Sequence, residues 1–180
     1  VTGCKEVSPG CDHCYASVIA NRFKGTKAFP QGFDVVMHPE RLEEPLRWLK
    51  PERIFVNSMS DLFHKDIPDE FIARVFDIMA GAVWHKFLIL TKRPDRAEHW
   101  FKKVKTRQYQ GHTLSESLVG RWDWPLENVW LGVSVENQKF AEARIPVLLR
   151  IPAAVRFISA EPLLGPVKLK ADWLSVSIGD

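Results

Sequence analysis

FLILTKRP, residues 87–94, sets a buried strand, its polar tip and the start of a helix side by side. Phe87 to Leu90 is too short a run for a helix and too apolar for a loop, so it reads as a strand. Thr91, Lys92 and Arg93 end it in polar side chains. Pro94 then suits a first helical position, with Asp95 favourably placed against the helix dipole. The same order recurs in RIFVN (53–57), VWLGVS (129–134), VRFIS (155–159) and WLSVSI (173–178). Near-continuous apolar runs of this kind suit strands covered on both faces, as in a parallel sheet. Helical patterns lie between them. One opens at Pro68, with Asp69 and Glu70 in its first turn, and carries Phe71, Ile72, Val75, Phe76 and Met79 on one face as far as Gly81. Another begins at Pro39 with Leu42, Leu46 and Leu49 inward, and a third begins at Pro94. A fourth runs from Gln138 to Arg150 with Ala141, Ile145, Leu148 and Leu149 aligned. Strand alternating with helix predicts right-handed parallel βα units, an α/β fold.

The 180 residues are 46% hydrophobic and 26% charged, which excludes a disordered or fibrous chain. At that length one domain is expected over 1–180, with an insertion at 106–126 that interrupts the βα rhythm. The insertion mixes Tyr109, His112, Arg121, Trp122 and Trp124, a composition that suits stacking on bases or packing of its tryptophans on the domain. No run approaches the ~18 apolar residues of a membrane span, and no N-terminal signal pattern is present. A cytoplasmic protein without membrane contact is therefore expected. Net charge is only +3, but eight basic and two acidic residues between Lys86 and Arg107 leave the rest of the chain acidic. Such a stripe serves either nucleic-acid phosphate or a solvated helix face.

All three cysteines fall in GCKEVSPGCDHCYA, residues 3–16, with the spacing Cys-x6-Cys-x2-Cys. An odd number argues against a disulfide framework. Clustered thiolates on a turn-rich loop suit a soft metal. Zinc would need a fourth ligand, for which His13 and His38 are available. An iron–sulfur cubane held by Cys4, Cys11 and Cys14 would keep one iron open to a small molecule. Spacing alone decides neither.

Polar clusters follow each strand: Asn57-Ser58-Met59-Ser60-Asp61, Thr91-Lys92-Arg93, Ser134-Val135-Glu136-Asn137, Ser159-Ala160-Glu161 and Gly179-Asp180. In parallel α/β folds, sites form at the strands' carboxyl ends, so these clusters predict one rim.

Taken together, GCKEVSPGCDHCYA, FVNSMSDLFH, LTKRP, LGVSVEN and FISAEPLLG resemble the phage-associated three-cysteine-motif family, itself similar to radical S-adenosylmethionine enzymes. A looser resemblance is to the spore photoproduct lyases, which carry an aspartate and a Thr-Lys pair where Asp61 and Thr91-Lys92 stand. The resemblance implies a partial (β/α)6 TIM-like barrel, truncated at both ends, whose first strand ends at Val1-Thr2. Asp180 stands where the family has glutamate. His13 replaces the aromatic residue usual before the last cysteine, and the first cysteine spacing is longer than the usual three. By the same resemblance, Cys4, Cys11 and Cys14 hold a 4Fe-4S cluster that binds S-adenosyl-L-methionine, with His13 or Tyr15 beside it. Asn57, Ser58 and Asp61 would meet the cofactor's amino group, Asp61 serving equally as a cap for the following turn. Lys92 would meet its carboxylate, Ser134 that carboxylate or the ribose, and Thr91 stands with them among the cofactor-binding residues. Glu136 and Asn137 would meet the ribose, leaving Arg93 and Glu161 as candidate substrate contacts. A flavodoxin or ferredoxin would donate the electron, and the substrate would be a nucleic acid or nucleotide. Two other readings remain: a zinc-stabilised nucleic-acid-binding module without turnover, and an inactive prophage-derived fragment.

Overall fold

A computed structural model describes residues 1–105 and 124–174. Four parallel strands, β1 (Arg53–Val56), β2 (Lys86–Thr91), β3 (Val129–Ser134) and β4 (Val155–Ser159), form one sheet in the order β1-β2-β3-β4. All three pairings are parallel, with Ile54 opposite Phe87, Ile89 opposite Leu131 and Val133 opposite Ile158. The four helices are α1 (Tyr15–Arg22), α2 (Asp69–Gly81), α3 (Pro94–Lys105) and α4 (Gln138–Arg150). The sheet is open, so this is a mixed α/β fold built on a parallel sheet. The described residues show this four-stranded open sheet, a coarser result than the partial (β/α)6 TIM-like barrel that the resemblance implies.

The helices follow from their sequence signals. Pro68 caps α2, which buries Phe71, Ile72, Phe76 and Met79. Asn137 caps α4 by accepting from the Phe140 amide at 3.3 Å. The core joins these side chains to Phe87, Ile89, Leu131 and Val133 of the sheet and to Trp100 and Phe101 of α3. Trp100 stacks on Phe76 at 4.8 Å, and burial of each such ring contributes roughly 1.5–3 kcal/mol.

Three expectations are corrected. Residues 39–49 form two short 3-10 turns, Pro39–Arg41 and Glu44–Arg47, not one helix. Pro45 would fall inside that helix, where it lacks an amide and clashes with the preceding turn. Leu42 packs on the core, whereas Leu46 is exposed and Leu49 is 92% exposed. Leu149 likewise points outward from α4. Only β3 is buried on both faces as expected: along β2, Phe87, Ile89 and Thr91 are buried while Leu88 and Leu90 are only half-buried. The second face looks into a cavity.

Trp173, the first residue of the expected fifth strand, is buried in a 3-10 turn. Leu174 follows it as an exposed turn residue, and Ser175 to Ile178, Gly179-Asp180 and insertion residues 106–123 lie outside the described residues. Among the described residues, no helix is long and apolar enough to cross a membrane.

Candidate functional site

Gly3 starts the site. Its φ is +77°, and a Cβ there would run into the backbone of Phe33 and Asp34, so only glycine lets the chain pass. The Gly3 amide donates to Met59 O at 3.1 Å, and the Thr2 amide donates to Val36 O at 2.9 Å. The N-terminal segment therefore runs beside the exit of β1 and delivers Cys4 to the carboxyl ends of the strands. Pro9–Cys11 then forms a 3-10 turn, and Cys14 leads into α1.

All three cysteines are free and half-buried. They line one cavity of about 440 Å³ together with Asn57, Ser58, Asp61, Thr91, Lys92, Arg93, Ser134 and Glu161. The tips of β1, β2 and β3, with Glu161, thus face the cysteine loop across this cavity. His13 and Tyr15 line it too, and the Tyr15 hydroxyl donates to Ser58 O at 2.8 Å. His38 lies elsewhere, bonded to Thr2 Oγ1 and Glu40. Among the described residues, no three His, Cys, Asp or Glu side chains gather as a single bound metal ion requires.

The rim residues divide into two groups. Asp61, 5% exposed, is saturated: it accepts from the Phe63 amide at 2.9 Å, Thr91 Oγ1 at 2.8 Å, the Lys92 amide at 3.2 Å and Arg93 Nη1 at 2.9 Å. With no lone pair left for an amino group, it organises the rim and does not bind a ligand. Thr91 is buried, and its hydroxyl also accepts from the Arg93 amide at 2.8 Å. Arg93 in turn donates to Cys4 Sγ at 3.4 Å and to Lys5 O at 2.6 Å, so it is an internal ion-pair partner. Burial pushes the Cys4 thiol above its ordinary value, and the Arg93 guanidinium opposes that rise.

Glu136 and Asn137 leave the cavity wall altogether. Asn137 is spent as the α4 cap. Glu136 is fully buried, paired with Arg144 Nη1 at 2.7 Å, and it accepts from the Ser8 hydroxyl. Gly10 sits directly on it: a Cβ there would lie 2.7 Å from Glu136 Oε1. Glu136 is thus the seat of the turn that carries Cys11. The sequence marks Gly10, with Pro9, only as a turn, and it does not single out Ser8 or Arg144. Arg144 had a signal, since a charge three residues after Ala141 on the inward stripe of α4 requires a buried partner.

The second group remains available. Ser134 is buried, Lys92 is half-buried without an ion pair among the described residues, and Glu161 is exposed at the cavity mouth. Asn57 holds a left-handed φ of 64°, and its buried Nδ2 has no partner. An orphaned donor in a cavity wall costs about 1–3 kcal/mol unless a ligand satisfies it. Three free thiols, the Lys92 ammonium and the Ser134 hydroxyl thus line one cavity, and among the described residues Lys92 has no ion pair.

The basic stripe is largely committed within the fold. Arg96 and Lys103 converge on Asp69, and Lys102 pairs with Glu98. No curated protein and no solved structure matches the chain. The family described as "Protein of unknown function (DUF5131)" matches over residues 1–179, and the chain belongs to that family.

Proposed function

We propose that this chain is a radical S-adenosylmethionine-type iron–sulfur protein, with Cys4, Cys11 and Cys14 holding a 4Fe-4S cluster. The observation that carries the reading is that three free thiols share one cavity with the polar tips of β1, β2 and β3. When bound, the cluster and cofactor supply one chemistry: an electron from a flavodoxin or ferredoxin cleaves the cofactor to methionine and a 5′-deoxyadenosyl radical, which takes a hydrogen atom from the substrate.

The chain's own residues bind and orient. Lys92 offers its ammonium to the cofactor's carboxylate. Asn57 Nδ2 supplies a donor that the protein itself leaves unused. Ser134 adds a hydroxyl from β3, and Glu161 places an acceptor at the mouth, where the sulfonium's positive charge is matched. A cluster is favoured over zinc because, among the described residues, no three His, Cys, Asp or Glu side chains gather as one ion requires, and His38 is bonded elsewhere. In this reading the open sheet, with Val1–Gly3 beside the exit of β1, is an arc of a (β/α)6-type barrel. A nucleic-acid or nucleotide substrate would be met at the mouth by Lys92, since Arg96, Lys102 and Lys103 of α3 are engaged in ion pairs.

Anaerobic iron–sulfide reconstitution tests the reading. About four irons per chain, a brown colour and 5′-deoxyadenosine formed under dithionite support it. Cys11→Ala should abolish colour and product together. Lys92→Ala should weaken cofactor binding about tenfold in calorimetry. A colourless protein with one zinc would sink the reading and favour the binding module, and a brown protein that forms no 5′-deoxyadenosine would favour the inactive fragment.

A further inference from the structure

Arg93 faces the cysteine loop with both terminal guanidinium nitrogens engaged. Nη1 donates to Cys4 Sγ at 3.4 Å and to Asp61 Oδ2 at 2.9 Å, and Nη2 donates to Lys5 O at 2.6 Å. It cannot swing away easily, because the Asp61 carboxylate would be left buried without its cation. The other thiols differ. Cys11 Sγ meets only the Ser8 hydroxyl, at 3.9 Å, and among the described residues no cation bonds to Cys11 or Cys14. Three ligands of the same chemistry therefore sit in unequal fields.

We propose that Arg93 is a positioning residue that fixes Cys4 and, through a charge-assisted hydrogen bond to that one sulfur, favours the reduced state of the cluster. The inference rests on the iron–sulfur reading above. Reduction adds negative charge to the cluster and its thiolates, and hydrogen bonds to the sulfurs are an established lever on cluster potential. A cationic donor stabilises the reduced form more than the oxidised one, and its hold on Lys5 O keeps the loop backbone in register with it.

The test uses the full chain carrying Arg93→Gln or Arg93→Lys, reconstituted anaerobically and followed by EPR during a redox titration. In Arg93→Gln the ratio of reduced to oxidised cluster at a fixed potential should fall about tenfold, about 59 mV for a one-electron couple. Arg93→Lys keeps the charge but loses the fork, and should fall about threefold; it carries the measurement where Arg93→Gln does not fold. Unchanged potentials in the variants overturn the proposal, because a purely structural role would lower cluster content and leave the potential of the loaded fraction alone.

A second arm needs no cluster. In the metal-free protein, a double-mutant cycle of Arg93→Lys with Cys4→Ala should show about fivefold coupling in the unfolding constant, and the same cycle with Cys14→Ala none. Absent coupling to Cys4 overturns the contact. A wild type that takes up no cluster sinks the iron–sulfur reading and the redox half of this proposal with it, while the cycle still decides whether Arg93 holds Cys4.

Discussion

Adding one methyl group at Gly10 should dislodge the cysteine loop. The new Cβ would lie 2.7 Å from Glu136 Oε1 and 2.9 Å from its Cδ, closer than real contacts allow. Glu136 has no room to yield: it is fully buried, held by Arg144 at 2.7 Å and capped by the Ser8 hydroxyl. Overpacking of this kind costs about 1–3 kcal/mol. Against it stands the roughly 0.4–1 kcal/mol that Gly→Ala contributes by restricting the unfolded chain. The net loss is then about 1–2 kcal/mol, or about 2–8 °C in Tm for a domain of this size. Denaturant unfolding of the metal-free protein measures it. Gly165→Ala is the control, because its Cβ would meet only Asn137 Cβ at 3.6 Å, an ordinary contact. Iron uptake per chain should fall in Gly10→Ala alone, since the displaced turn carries Cys11. Should Gly10→Ala prove as stable as Gly165→Ala and load iron equally, the turn is not seated on Glu136 and the account of that residue is wrong.

Gly132→Ala places a Cβ 2.5 Å from the Phe157 ring, so β4 must move off β3; a loss of about 1–3 kcal/mol is expected in denaturant unfolding, and an unchanged midpoint would refute the β3–β4 packing. Glu98 accepts from Arg150 at 2.7 Å and pairs with Lys102 at 3.0 Å, and these donors, Arg150 first, hold its carboxyl at about 2 instead of 4.5. Because the folded value is depressed, the stability it contributes is present above pH 4.5 and lost as pH falls toward 2. Glu98→Gln should lower stability at neutral pH, flatten the curve within that window and leave the slope near neutral pH unchanged, and high salt should shrink the difference between the two proteins. A wild-type curve that is flat across the window would remove the α3–α4 bridge from the account.

The strands were legible because their runs are local and strongly apolar: β3 and β4 span the residues expected of them, and β2 extends one residue further back to Lys86. Helices with a proline start and an inward stripe, α2 and α3, were legible for the same reason. Residues 39–49 misled because three leucines at helical spacing outweighed Pro45 in the reading, although a proline in mid-helix costs about 3 kcal/mol. α1 was missed from the opposite cause. It buries only Ala16 and Ala20 and leaves Tyr15, Val18 and Ile19 exposed, so it has no apolar stripe to see.

The site shows where local reading stops. Polar residues after each strand marked the rim, and Asn57, Ser58, Thr91, Lys92 and Ser134 do line the cavity. Residue type could not tell which acids were free. Asp61 and Glu136 have the chemistry of ligand acceptors, and both are consumed by partners inside the fold. One of the partners of Asp61 lies 32 positions away, and the Ser8 partner of Glu136 lies 128 positions away. No window of sequence contains those contacts. Their cost explains their place: a buried carboxylate must be paired, so acids held this deep serve as anchors of the fold. The two ion pairs brace different parts of one loop, Arg93–Asp61 at Cys4 and Arg144–Glu136 at the turn before Cys11. A loop with so little apolar anchorage of its own is therefore set by electrostatics from beneath, and the residues left unpaired above it, Lys92 and Asn57, are the ones that a ligand would complete.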